Sequence, residues 1–200
     1  RQRQMCIRDR ENIVALCDVD WHYADKTFKD YPKAKRFKDW RVMFDEMGKS
    51  IDAIMVATPD HTHAGVTAHA ITLGKHCYTQ KPLTHSVYES RLLTKLAKKY
   101  KVATQMGNQG HSEANYFQFK AWKEAGIIKD VTAITAHMNN PRRWHGWNPN
   151  IRHMPMGEPV PETMDWDTWI GVAQYHDYNH DYHLGPVSYT HLTLPTTSRV

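Results

Sequence analysis

Cysteine is scarce in this 200-residue sequence: Cys6, Cys17 and Cys77 are the three present. They have neither the paired spacing of a Cys-rich zinc site nor the density of a disulfide scaffold. Glycine and proline, ten each, are too few and too scattered for a collagen-like or low-complexity chain. No window approaches about 18 consecutive apolar residues, which excludes a hydrophobic membrane-spanning helix within these residues. No glycine-rich phosphate loop is found. What is there is ordinary globular composition, 40% hydrophobic and 24% charged, enough for one sizeable domain or two small ones.

A net charge of +5 points toward nucleic acid, but the charge sits at the ends. Residues 1–9 read RQRQMCIRD and residues 187–195 read VSYTHLTLP. Back-translated as CGG CAG CGT CAG ATG TGT ATA AGA GAC, the first string has a reverse complement that encodes the second. One DNA segment read on opposite strands accounts for both, and it resembles a transposon-based sequencing adapter. Residues 1–10 and 187–200 are therefore expected to be adapter-derived and are set aside, as a cloning scar would be. They carry Arg1, Arg3, Arg8, Arg10 and Arg199 against Asp9, and without them the charge falls from +5 to +1. The nucleic-acid expectation is withdrawn with it. Cys17 and Cys77 read as buried thiols of a reduced compartment. A cytoplasmic location is the default, with export left open because the sequence so trimmed lacks a true N-terminus.

Between those ends, strands and helices alternate. Asn12 to Cys17 is a short apolar run closed by Asp18, as in a buried parallel strand. Trp21 to Lys29 reads as a helix and Arg36 to Lys38 as a short strand. Asp39 to Met47 reads as a helix with Val42, Met43 and Met47 on one side and Gly48 as its stop. Ile51 to Ala57 is a β-rich run broken by Thr58-Pro59-Asp60. His63 to Leu73 spaces Val66, Ala70 and Leu73 as an amphipathic helix ended by Gly74. His76 to Thr79 is a strand. Ser86 and Glu89 form a capping box before a helix with Leu93, Leu96, Ala97 and Tyr100 on one face. Val102 to Met106 is a strand closed by Gly107. Short connections and continuously apolar strands predict an α/β fold with a parallel sheet.

A further helix is expected over 113–125. Val131 to Met138 then alternates, which predicts a strand with one wet face and a domain boundary near Gly107 to Gly110. The division is thus 11–108 and 109–186. After Asn139 the Pro- and Trp-rich sequence reads as long ordered loop.

Several residues fall where strands end. Asp18 closes the first strand and can accept hydrogen bonds from a ribose diol, or cap the next helix. Ala57, Thr58 and Pro59 end the next long strand, where small residues let a flat ligand approach. His61 and His63 are spaced two apart on a turn without a third ligand, so no metal is expected there. Gln80-Lys81-Pro82 follows another strand. Pro82 favours extended geometry at Lys81 and turns its ammonium toward the rim, against the alternative of a solvated lysine. Arg142, Arg143, Trp144 and His145, with Trp147, crowd one loop and suit a sugar, since Trp stacks on rings and Arg donates to oxygens. Loop packing is the alternative. His176, His180 and His183 sit in irregular sequence, and no metal is expected there either.

Taken together, the strings ALCDVD (15–20), IDAIMVATPDHTHAGVTAHAITLGKHCYTQKPLT (51–84), VATQMGNQGH (102–111) and PVPETMDWDTWIGVA (159–173) resemble the Gfo/Idh/MocA oxidoreductases, and the last resembles their sugar-acting branch. The resemblance covers nearly all of residues 11–186. It implies a Rossmann-type NAD(P)-binding domain, truncated here before its first strand and glycine-rich loop. It also implies the start of a second α/β domain with an open antiparallel sheet that carries substrate and oligomer contacts. The resemblance assigns Asp18 to the adenosine ribose, favouring NAD over NADP because an acid repels a 2′-phosphate. Ala57, Thr58, Pro59, His63, Gln80 and Asn108 would complete the cofactor site. Lys81 matches the lysine of the family's Glu-Lys-Pro motif, between nicotinamide and substrate hydroxyl, with Gln80 in place of the Glu. The family's later Asp/His pair is not found before residue 187.

The expected activity is NAD-dependent hydride transfer between a sugar or polyol hydroxyl carbon and nicotinamide, in a parent protein that forms a homo-oligomer. The fragment itself is expected to be inactive. Two alternatives stay open: an NAD-dependent glycoside hydrolase that cycles through oxidation and elimination, and a non-catalytic nucleotide-binding module.

Overall fold

A computed structural model describes residues 11–135 and 156–183. The first strand, β1 (Ala15–Cys17), leads through Asp20 into helix α1 (Trp21–Asp30). Strand β2 (Lys35–Phe37) pairs with β1 in parallel, Ala15 opposite Lys35 and Cys17 opposite Phe37. Helix α2 (Trp40–Met47) follows, capped by Asp39, whose side chain accepts from the Arg41 N–H. Its core face is Trp40, Met43 and Phe44, of which Phe44 is buried and the other two partly so. Val42, expected on that face, is exposed, because the i, i+3, i+4 pattern runs from Trp40 and places residue 42 on the opposite side.

The second sheet has the order β3-β4-β5, all parallel: β3 (Ala53–Val56), β4 (His76–Gln80) and β5 (Thr104–Gly107). Val56 faces Thr79, and Gln80 faces Gly107, so the three carboxyl ends lie on one edge. Helices α3 (His63–Thr72) and α4 (Val87–Tyr100) make the two crossovers. A left-handed Gly74 ends the turn after α3, as expected of a residue without Cβ. The capping box of α4 is complete, since Ser86 accepts from the Glu89 N–H and Glu89 accepts from the Ser86 N–H. Phe44, Ala70, Ile71, Cys77 and Leu93 form one core under these elements, so α2 links the two sheets. The buried hydroxyls of Thr67 and Thr79 meet at 2.8 Å and tie α3 to β4.

Helix α5 (Ala114–Glu124) has no residue buried against the described residues. Residues 131–135 carry no strand. Ile134 there is 88% exposed, and alternating sequence forms a strand only where another strand pairs with it. The rest of the expected strand, through Met138, lies outside the described residues, and no antiparallel sheet occurs among them. The region read as loop does contain helices: α6 (Trp166–Ile170) and α7 (His180–His183). Asp165 caps α6 by accepting from the Thr168 N–H, and Trp166, Trp169 and Ile170 bury one face at i, i+3, i+4. No helix among the described residues is long and apolar enough to cross a membrane.

Candidate cofactor site at the strand ends

Each loop on the carboxyl edge is built by a different local device. After β1, the Asp18 N–H donates to the Phe37 carbonyl (3.0 Å), which fixes the exit of β1 against the end of β2. Asp18 Oδ1 accepts from the Asp20 N–H (2.9 Å). Asp20, not Asp18, caps α1, accepting from the His22 N–H (2.9 Å). The helix-cap alternative for Asp18 is thereby taken by its neighbour, and the half-buried Asp18 carboxylate stands at the edge.

After β3, Ala57 is exposed while Thr58 and Pro59 are half-buried. Thr62 Oγ1 lies 2.7 Å from Thr58 Oγ1 and 2.8 Å from the Pro59 carbonyl oxygen, closing the turn into α3. His63, with no exposed surface, lies beneath the edge. Its Nδ1 is 2.6 Å from the Pro82 carbonyl oxygen and its Nε2 is 2.8 Å from that of Thr58. One ring thus spans the loops after β3 and β4. Its place in the site is to hold those loops, since both nitrogens are engaged with backbone.

After β4, the side chain of Gln80 is buried and lies across Gly107 at the end of β5. A Cβ on Gly107 would sit 2.8 Å from the Gln80 amide carbon, so only glycine fits without displacing that amide. Gln80 Oε1 accepts from Gln109 Nε2 (3.4 Å), and Gln80 Nε2 is buried with no partner among the described residues. Lys81 is exposed on the loop and makes no ion pair among the described residues, beside a cis Lys81-Pro82 bond. Asn108 is exposed immediately after β5.

The structure therefore brings Thr58, Pro59, Lys81 and Asn108 to one edge of one sheet, with Gln80 and His63 as their supports. Asp18 belongs to the other sheet, and a later segment joins it to that edge. The Asp165 N–H donates to the Val19 carbonyl (2.9 Å), and the Trp21 N–H donates to the Thr163 carbonyl (3.3 Å). One helical turn on, the Trp169 carbonyl oxygen lies 3.0 Å from His61 Nε2 in the loop after β3. The loops after β1 and β3 are thus neighbours. Local periodicity assigns Thr163, Asp165 and Trp169 no role at this edge. The D-W-D-T-W-I string carried the signal, an Asp cap followed by aromatics at helical spacing.

The two cysteines among the described residues do not suit reactive roles. Burial, with Asp18 and Asp39 nearby, pushes the Cys17 thiol up to about 12, and burial pushes Cys77 up to about 11. Both stay protonated at neutral pH and are poor nucleophiles. No group of three or more His, Cys, Asp or Glu that could hold a metal ion occurs among the described residues. Arg142, Arg143, Trp144 and His145 lie outside the described residues.

Comparison with known proteins gives this edge a context. The model of an oxidoreductase family with an NAD-binding Rossmann fold, Gfo/Idh/MocA, matches residues 2–108. An inositol 2-dehydrogenase of Saccharopolyspora erythraea is 26% identical over 121 residues, which cover 60% of this chain and 35% of that protein. A crystal structure of myo-inositol 2-dehydrogenase from Lactobacillus plantarum has a TM-score of 0.57 at 21% identity, covering 64% of this chain and 38% of the other. A 3-ketoreductase from Actinomadura kijaniata, crystallised with TDP-benzene and NADP, has a TM-score of 0.52 at 18% identity, covering 60% and 37%. At such identities the structural likeness is one of fold. The chain spans about a quarter to a half of the length of the curated relatives it matches.

Proposed function

The chain belongs to the Gfo/Idh/MocA oxidoreductase family, and from that premise we propose that it is the coenzyme-binding part of an NAD-dependent dehydrogenase acting on a sugar or polyol. The observation that carries this reading is the gathering of Thr58, Lys81 and Asn108 at the carboxyl edge of one parallel sheet, with the Asp18 loop tied beside it. In a wound α/β sheet, ligands bind outside the carboxyl ends of the strands, where the order of the strands reverses.

The residues present fit a dinucleotide. Asp18 is a carboxylate at a strand end, suited to two hydroxyls of a ribose and opposed to a 2′-phosphate, which favours NAD over NADP. Ala57, Thr58 and Pro59 offer a small, flat wall. Gln80 brings a buried amide with donor capacity unspent, and Gly107 leaves that amide its room. A nicotinamide bound at this edge supplies the capacity to accept or give a hydride.

The protein's own part is positional. His63 holds the loops that carry Thr58 and Lys81 at a fixed separation. The exposed Lys81 ammonium donates to the hydroxyl oxygen of the substrate, orients it and polarises it. A positioned acid–base group contributes about 10²–10⁴-fold. In the complete protein, Lys81→Ala is therefore expected to lower kcat for polyol oxidation by about 10²–10⁴-fold, read as NADH formation across a panel of sugars and inositols. An unchanged kcat removes Lys81 from the reaction. Sugar release without accumulating NADH would instead identify a glycoside hydrolase, and NADH binding without turnover a nucleotide-binding module.

A further inference from the structure

Residues 163–171 cross the edge at a particular place. At one end, Asp165 and Thr163 bond to the backbone of Val19 and Trp21, and Thr163 Oγ1 donates to Asp20 Oδ1 (3.1 Å). At the other end, the Trp169 carbonyl meets His61, and a Cβ on Gly171 would lie 3.2 Å from the methyl of Thr62. These contacts bridge the loop after β1 and the loop after β3, which belong to different sheets. The segment is stiffened by Trp166 and Trp169, whose rings stack at 4.6 Å, and by the Trp166 Nε1 bond to the His176 carbonyl (2.9 Å). His61 is its anchor on the β3 side. The ring is 3% exposed, stands edge-on to Trp169 at 5.5 Å, and has Nδ1 buried without a partner among the described residues. Buried polar side chains are as a rule hydrogen-bonded, and the backbone of the strap is what His61 bonds to.

We propose that residues 163–171 are a strap forming a wall of the coenzyme crevice, and that His61 is the positioning residue that latches it. The coenzyme part rests on the function proposed above. The latch needs a neutral imidazole, which donates from Nε2 and leaves Nδ1 as a lone pair; a second proton would put an unpaired N–H in the interior. Burial holds the His61 imidazole below its ordinary value, and the backbone of Trp169 and Ile170 only partly offsets that. Asp60 on the same turn favours the charged form, and His85 opposes it. The latched state therefore binds fewer protons than the open one. Latching is complete above the ordinary imidazole value, about 6.5, and weakens as pH falls below it.

The test compares the full chain with His61→Phe, which keeps a ring but no donor, and His61→Gln, which keeps a donor that does not titrate. The first readout, without coenzyme, is hydrogen exchange at the amides of Trp166 to Ile170. His61→Phe should speed that exchange about five- to tenfold, and His61→Gln should restore most of the protection. Lowering the pH from about 7.5 to 5.5 should reduce the protection of these amides, taken relative to their intrinsic base-catalysed exchange rate at each pH, in the wild type and not in His61→Gln, in which Asp60 and His85 are still present. The second readout is NADH binding, followed by energy transfer from tryptophan, which His61→Phe should weaken by a similar factor. Unchanged exchange in His61→Phe, or the same pH response in His61→Gln, overturns the latch. Faster exchange with undiminished NADH binding overturns the strap as a wall of the crevice. If the wild type binds no dinucleotide, the coenzyme part falls with the proposed function, and the exchange readout still decides the latch.

Discussion

The core beneath α3 and the core of residues 156–183 bury apolar surface by different means. Phe44 apart, the first core is small or aliphatic, and Ala70, Ile71, Cys77 and Leu93 come from consecutive elements of a strand–helix alternation. Each is placed by the period of its own element, and the hydrogen-bond ladders of three parallel strands keep the periods in register. Met164, Trp166, Trp169, Ile170, Tyr178 and Tyr182 come instead from a stretch with two helices of five and four residues. Ring geometry does the ordering there: Trp166 stacks on Trp169 and meets Tyr178 edge-on at 5.2 Å. The first core is cooperative with the sheet. The second is attached to it through hydrogen bonds at the edge, the packing of Val19 and the ring contact of His61 with Trp169, and is expected to open while the sheet stays folded.

Removing the largest ring tests that difference most severely. Trp169→Ala is expected to remove about 3–5 kcal/mol from the aromatic cluster, more than a few edge contacts can make up. Near-ultraviolet circular dichroism from the stacked tryptophans should vanish while the main urea transition stays within about 1 kcal/mol of the wild type. A main transition that falls by the full amount would show one cooperative unit instead of two. Ile71→Ala is the counterpart. Fully buried between α3 and β4, it should lower the main transition by about 2–5 kcal/mol and leave the tryptophan signal of the folded state intact.

Gly107 probes the seam between the aliphatic core and the rim. The Cβ of Gly107→Ala would meet three atoms of the Gln80 amide at 2.8–2.9 Å, the far end of a flexible side chain. The expected cost is about 1–3 kcal/mol, from displacing that amide and losing its contact with Gln109. The double variant Gly107→Ala with Gln80→Ala should recover most of the loss, measured as a coupling energy in a thermodynamic cycle. Additive losses would mean that the close approach is not what Gly107 provides.

The contrast between the cores also explains what was legible in the residues. From β1 through β5, the helices and strands lie within a few residues of where apolar period and turn chemistry put them, because local pattern and tertiary packing agree there. Even the capping box at Ser86 could be read directly. Val42 misled because its helix was phased on aliphatics and not on Trp40 and Phe44. The residues of the edge were legible as strand-end residues, but their division of labour was not. His63 beneath the loops, Gln80 lying on Gly107, and Asp20 rather than Asp18 as the cap all depend on side-chain contacts that spacing does not encode. The strap was least legible, since its partners Val19 and His61 lie more than about 100 residues away in sequence, where single-sequence periodicity carries no information.

The smallest expected effects come from the caps, and they separate the two regions once more. Ser86→Ala removes one acceptor from α4, while Glu89 goes on accepting from the N–H groups of His85 and Ser86 (2.8 Å each). The expected loss is about 0.5–2 kcal/mol, with the helical circular dichroism unchanged, because a 14-residue helix packed on the core does not need its cap to exist. Asp165→Ala removes acceptors from the Thr168 N–H (3.0 Å) and the Thr168 hydroxyl (2.9 Å), a loss of the same size. It falls, however, on a helix of five residues, too short to persist alone. The same loss should therefore free the strap, read as faster hydrogen exchange at Trp166 to Ile170, and leave the urea transition of the sheet unmoved. Equal protection of the two helices after loss of their caps would mean that α6 is held by the aromatic rings alone.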